Sequence, residues 1–233
     1  MLFRSLGYFR TRFFVIVVQH PQQLVPSLAV SISSPGERPR VDGRRLRSER
    51  TRLVIIEAYL ALLRREPRMP TAAQIAETAG CSVRSIFERF ADLNALTLAT
   101  ADYALAQAAA EATARDVNAD RPTRIRSHVA VRAAACERWL PLWRVLVVTQ
   151  DQFAELRLRV SLARQGNVAR MRLMYAPELA MLEEGVREEL LIAMAALISF
   201  ESWDQMRDCF ALSMEAAQAA WRTAIDRMLP QSA

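Results

Sequence analysis

The sequence predicts an all-α protein, and three observations carry that reading. Apolar residues recur at three- and four-residue spacing almost without interruption after residue 47, strand signals are nearly absent, and only 6 of 233 residues are glycine in a chain rich in Ala, Leu, Arg and Glu. The helices divide into an N-terminal three-helix unit with a helix-turn-helix, residues 43–100, and a C-terminal helical unit, residues 101–233. A chain of this length can bury a sizeable core.

Charge separates the same two parts. All 31 basic residues are arginines; residues 1–90 hold 15 of them against 7 acidic residues, and residues 91–233 hold 16 against 18. A basic N-terminal part beside a near-neutral remainder points to contact with a polyanion, either nucleic acid or an anionic membrane. Cys81, Cys136 and Cys209 are odd in number and lack a CxxC partner. They support neither a disulfide framework nor a metal site, and fit a reducing cytoplasm.

Residues 1–42 stand apart. The run "FFVIVV" is six residues long before Gln19, His20 and Pro21 interrupt it, far below the roughly 18 apolar residues a membrane span requires. With the Pro-, Gly-, Ser- and Arg-rich "SISSPGERPRVDGRR" behind it, this stretch reads as a disordered extension from an upstream translation start rather than an export signal. The arginine-rich arm "RPRVDGRRLR" is either a solvated linker or an extension touching a nucleic-acid backbone or minor groove.

The first helix runs through "SERTRLVIIEAYLALLRRE", where Leu53, Ile56, Ala58, Tyr59, Leu60 and Leu63 form one buried face, and Pro67 and Pro70 end it. Thr71 caps a second helix, "AAQIAETA". Gly80 stops that helix by taking a left-handed conformation and lets the next pass close by. Ser82 caps a third, short helix. Ile86 and Phe90, with Phe87 beside them, are expected to pin it, leaving Val83, Arg84, Ser85, Glu88 and Arg89 facing outward. A short exposed helix bearing arginines suits a DNA major groove.

Thr71-x-x-x-Ile75-Ala76-x-x-Ala79-Gly80-Cys81-Ser82, followed by Phe87-x-x-Phe90 and Leu96, resembles the DNA-binding signature of the TetR family of transcriptional regulators. The resemblance covers residues 47–100. It implies that Val83 and Arg84 face the groove, that Ser85, Phe87 and Arg89 hold phosphates, and that Thr71 adds another phosphate contact beside the cap at Ser82. The chain departs from the family where Cys81 replaces a common valine, Phe87 a tyrosine and Leu93 a lysine. Two usual phosphate contacts are thereby missing or replaced.

Asp92 is placed to cap a helix through "LNALTLATADYALAQAAAEATARD", and breaks at Asn118 to Pro122, Pro141, Gly166 and Pro177 are expected to divide the rest of the chain. The last segments, "REELLIAMAALISFESWDQMRDCF" and "SMEAAQAAWRTAIDRML", resemble the paired C-terminal helices through which TetR-family proteins dimerise as a four-helix bundle. On that reading Ala193, Leu197, Phe200, Trp203, Met214, Ala217 and Trp221 face a twin, the alternative being a monomer core. The resemblance also implies an effector among the middle helices. His128, Trp139, Trp143, Phe153, Met171, Met174 and Tyr175 are the candidate contacts, each of which also fits ordinary core.

Together these features imply a homodimeric repressor that binds a palindromic operator in double-stranded DNA and is released by a small-molecule effector. No cofactor, metal or membrane is implied. The alternative is a constitutive or architectural helix-turn-helix protein whose C-terminal unit only dimerises. Catalysis is disfavoured: neither His20 nor His128 follows a glutamate by three residues, and no nucleophile elbow or glycine-rich phosphate loop is present.

Overall fold

The computed structural model describes residues 43–111 and 116–231. The extension 1–42, with the first half of the arginine-rich arm, and residues 112–115 and 232–233 lie outside them. Among the described residues ten α-helices occur in order: α1 (Gly43–Arg65), α2 (Ala72–Ala79), α3 (Val83–Phe87), α4 (Leu93–Glu111), α5 (Arg121–Thr149), α6 (Ala154–Met174), α7 (Ala176–Leu179), α8 (Glu184–Leu197), α9 (Phe200–Asp204) and α10 (Met214–Met228). No strand occurs among the described residues. None of the described helices is long and apolar enough to cross a membrane.

The first three helices form where the local chemistry dictates. Thr71 accepts from the Gln74 amide, and the Gln74 side chain accepts in return from the Thr71 amide at 2.8 Å, a reciprocal box that satisfies two first-turn donors of α2. Gly80 ends α2 at φ 63°, with its amide on the Glu77 carbonyl and the Cys81 amide on the Ala76 carbonyl. Ser82 caps α3 by accepting from the Ser85 amide at 3.1 Å. Ile55, Tyr59, Leu63, Ile75, Ile86 and Leu96 are fully buried between α1, α2, α3 and the start of α4.

Leu53, placed on the buried face of α1 from sequence, is 42% exposed, while Ile55 takes its place in the core. Two further expectations for this region change. A Cβ at Gly80 would meet nothing within 4 Å, so the left-handed backbone alone demands glycine there, not a close helix crossing. Phe87 is 46% exposed and leaves the pinning of α3 to Ile86 and Phe90.

Asp92 caps α4 through the Ala95 amide at 2.7 Å, and α4 runs unbroken through residue 100 into the remainder of the chain. The expected break between Asn118 and Pro122 is present: Asp120 caps α5 through the Thr123 amide, with Pro122 in the first turn, where its missing N–H is harmless. The breaks expected at Pro141 and Gly166 are absent, because α5 and α6 pass straight through them. A proline inside a helix costs about 3 kcal/mol or more. Burying Trp139, Leu142, Trp143, Val145 and Leu146 around Pro141 returns roughly 1.5–3 kcal/mol for each large side chain, which outweighs it. The ~1 kcal/mol cost of Gly166 is offset in the same way by Val160, Met171 and Met174.

The real turn between α5 and α6, at residues 150–153, has neither glycine nor proline to announce it. Near Pro177 the chain does bend, at Tyr175, before the single turn of α7. The long C-terminal segment is not one helix: α8 stops at Leu197, and Ser199 caps α9 through the Ser202 amide. A π-helical turn, Gln205–Cys209, carries the chain to a positive φ of 49° at Ala211.

Because only its backbone angle requires glycine, Gly80→Asn should retain most of the stability while Gly80→Val should lose about 1–2 kcal/mol or more. Urea unfolding of the two variants beside the parent measures the difference.

Candidate functional site

The turn between α2 and α3 presents Val83, Arg84 and Phe87 on one exposed edge. Val83 is 40% and Phe87 46% exposed, and the Arg84 side chain is 88% exposed. Arg84 donates only its Nε, to Glu88 Oε1 at 3.0 Å, so among the described residues its terminal nitrogens are left for an outside acceptor. The hydroxyls of Thr71, Ser82 and Ser85 are exposed or half-buried, but each is already engaged: Thr71 in the capping box, and Ser82 with Ser85 in a mutual bond of 3.0 Å. One hydroxyl hydrogen of the Ser82–Ser85 pair can still turn to a phosphate, yet the first role of these groups is to hold α3 in shape.

Arg89 departs from the expectation. Its guanidinium folds back onto the Ser85 carbonyl at 2.9 Å, and its side chain is only 23% exposed, so it braces the end of α3 instead of facing outward. Arg52, which no sequence motif marks, completes that brace from α1. It donates to the Arg89 carbonyl at 2.9 Å and lies over the Phe90 ring at 4.3 Å. Its sequence signal is faint, since one arginine among many on a basic helix carries no special spacing.

The effector candidates are dispersed through the interior. Met171, Met174 and Tyr175 are fully buried and Trp139 nearly so, while Phe153 is half-buried against the core. His128 is buried beside Tyr175, sharing a 2.7 Å hydrogen bond with its hydroxyl. Burial, reinforced by the charges of Arg170 and Arg132, pushes His128 down to about 3, and burial raises the Tyr175 hydroxyl well above its usual range. Next to them Arg124 and Glu178 form an almost wholly buried ion pair. This is a structural polar cluster with the imidazole held neutral. Among the candidates Trp143 lines an open cleft of about 420 Å³ between α5, α6, α8 and α9.

The dimer candidates also divide. Phe200, Trp203, Ala217 and Trp221 are buried within the single chain, with Trp203 and Trp221 rings 4.7 Å apart, so they belong to the monomer core. Ala193 and Met214 are exposed and Leu197 half-buried. Glu183, Glu184, Glu188 and Glu189 form a surface stretch around Arg187: Glu188 pairs with Arg172, and Arg187 donates to the carbonyls of Leu179 and Leu182. Among the described residues no group of His, Cys, Asp or Glu is arranged to hold a metal.

No family model matches the sequence, and neither does any curated protein. Solved structures do match. One is the crystal structure of a candidate TetR-family transcriptional regulator from Rhodococcus sp., with a TM-score of 0.61 and 19% identity, covering 78% of this chain and all of that one. At that identity the likeness is one of fold, and the chain has the all-α fold of that protein.

Since unfolded histidine titrates near 6.5 and folded His128 near 3, the unfolded chain binds the extra proton between those values. This contribution to stability is complete above about pH 6.5 and is lost as the pH falls toward 3. His128→Gln should flatten the fall in urea midpoint between neutral and mildly acidic pH.

Proposed function

We propose that the chain is a TetR-type transcriptional regulator: a homodimer whose two α3 helices enter successive major grooves of a palindromic operator, and whose C-terminal unit answers a small molecule. Residues 43–100 serve as the DNA-binding unit and 101–233 as the effector and dimer unit. The observation that carries this reading is the α2–α3 turn. Two side-chain caps and a left-handed glycine fix the turn, and it holds Val83, Arg84 and Phe87 on an exposed edge of a basic region. The shared fold with a TetR-family protein supports it.

Arg84 is the base-reading candidate, because it combines exposure with terminal nitrogens that match the fork of acceptors on guanine. Thr71, Ser82 and Ser85 are better suited to phosphate contacts around it, with Phe87 packing on the backbone. Arg89 and Arg52 act from behind, by keeping α3 at its angle. Release of the operator is the proposed sign of the effector's action, and the cytoplasm the proposed place.

For the twin subunit, exposure favours a face different from the aromatic one expected from sequence. On α8, Val186 is 51% and Ile192 70% exposed, with Ala193 beside them. On the adjoining α10 the exposed Ala216, Ala219, Ala220 and Thr223 recur at three- and four-residue spacing, a low ridge that lets another helix approach closely. These two faces would meet their symmetry mates across a two-fold axis.

Selection of bound duplexes from a random pool tests the reading. It should recover a palindrome with half-sites about one DNA turn, ~34 Å, apart. On the recovered site Arg84→Ala should cost about 1–3 kcal/mol and change random-duplex binding far less. Unselective recovery would sink the regulator reading.

Ile192→Glu should convert the dimer to monomers in sedimentation runs, with helix content unchanged by circular dichroism. A variant that remains dimeric places the twofold contact elsewhere.

A further inference from the structure

The cleft between α5, α6, α8 and α9 has a composition that specifies a ligand class. Its volume, about 420 Å³, lies in the ~300–1,000 Å³ range of small-molecule sites. Trp143 from α5 and Phe200 from α9 stack in its wall, with ring centroids 4.6 Å apart. Two guanidiniums border the pair, Arg132 over Phe200 at 4.5 Å and Arg164 over Trp143 at 5.4 Å.

The charged groups are not equally occupied. Glu201 accepts from Arg164 at 3.0 Å and from the Trp143 indole at 3.2 Å. Burial opposes its ionisation, but these bonds and one from its own backbone prevail and hold its carboxyl below the usual range. Arg164 and Glu201 therefore neutralise each other within the wall. Arg132 donates only Nε, to the Ile198 carbonyl at 2.8 Å, and its terminal nitrogens have no hydrogen-bond partner among the described residues. One positive charge is left over.

Asn167 supplies a second, independent observation. It is 8% exposed and lines the same cleft, yet its side-chain amide makes no hydrogen bond among the described residues. Its amide atoms keep contact with the solvent of the cleft, where a bound polar group can take the place of water. An uncommitted guanidinium fork and an amide, opening on a cleft with aromatic walls, match one negatively charged planar group carried on an apolar body.

We infer that this cleft binds a small monocarboxylic acid with a flat apolar body, the carboxylate meeting the Arg132 terminal nitrogens and the Asn167 amide. The body lies against Val168 and the Trp143–Phe200 pair. The inference deepens the proposed effector role and rests on it only for the consequence of binding, since the site itself is defined by its own residues. The core candidates His128, Met171, Met174 and Tyr175 have no part in it.

Calorimetric titration of the full chain with benzoate, and with its neutral isostere benzamide, is the test. Benzoate should bind saturably, once per chain, and benzamide about tenfold or more weaker. Arg132→Gln and Asn167→Asp should each weaken benzoate by about tenfold or more. Asn167→Asp keeps the side-chain size and adds a repelling charge, so it carries the test should Arg132→Gln unfold on losing the Ile198 contact. Equal binding of the two probes, unchanged benzoate affinity in the folded variants, or no saturable binding would each overturn the inference. Duplex binding of the ligand-free protein is read in parallel. Its absence counts against the regulator reading alone, whereas loss of benzoate selectivity with duplex binding intact counts against the cleft alone.

Discussion

Helix α4 is the member on which both halves of the molecule depend, because it is held at two points by two different helices. Near its start Thr97 meets the buried Tyr59 hydroxyl of α1 at 2.9 Å. Five residues later Asp102 receives both Nε and a terminal nitrogen of Arg159 from α6, at 2.8 and 3.1 Å. A helix rises about 1.5 Å per residue, so the two anchors lie roughly 7 Å apart along one rigid rod. Through these two contacts α4 links α6 to α1. The Asp102 carboxylate is half exposed, and such pairs contribute only about 0.2–1 kcal/mol, so the pair sets position more than strength. The strength comes from the packing of α4 along α6, with Ala101, Ala104, Leu156 and Val160 buried.

The exposed α2–α3 edge is built by the same division between position and strength. Ile86 and Phe90 bury α3 against the core, while the caps at Thr71 and Ser82 and the left-handed Gly80 set its direction. Arg52 and Arg89 then fix its far end by a guanidinium on a carbonyl at each step. Arginines in this region thus have two trades. Those that bond backbone carbonyls are framework, and Arg84, tied only by its Nε to Glu88, is left to meet another molecule.

Local chemistry was legible in the sequence and side-chain destiny was not. The caps at Thr71, Ser82 and Asp92 and the stop at Gly80 depend on residues within four positions of each other, and the structure has all of them. Pro141 and Gly166 misled because their local cost is set against burial by distant helices, which no window of sequence contains. Aromatic content misled in the same way. Trp203 and Trp221 satisfy an interface pattern and a core pattern equally, and only the folded chain, with one ring 4.7 Å from the other, decides for core. Cleft residues Arg132, Arg164 and Asn167 were invisible as a set, since they come from two helices and gain meaning only from which of their nitrogens remain unbonded.

The cleft and the exposed α2–α3 edge are joined through α6 and α4. Arg164 and Asn167 stand on α6 five and eight residues beyond Arg159, so the proposed ligand, in drawing on Asn167, would act on the helix that grips α4. Effector coupling in regulators amounts to about 1–3 kcal/mol, more than the exposed Arg159–Asp102 pair could transmit alone. It would have to be carried by a rigid shift of α6 against the packed face of α4, with the ion pair keeping register. Packing of that kind changes between discrete arrangements instead of yielding gradually. In the proposed dimer a modest ligand contact would therefore change the spacing of the two α3 helices, with the twin subunit on α8 and α10 giving that spacing a fixed reference.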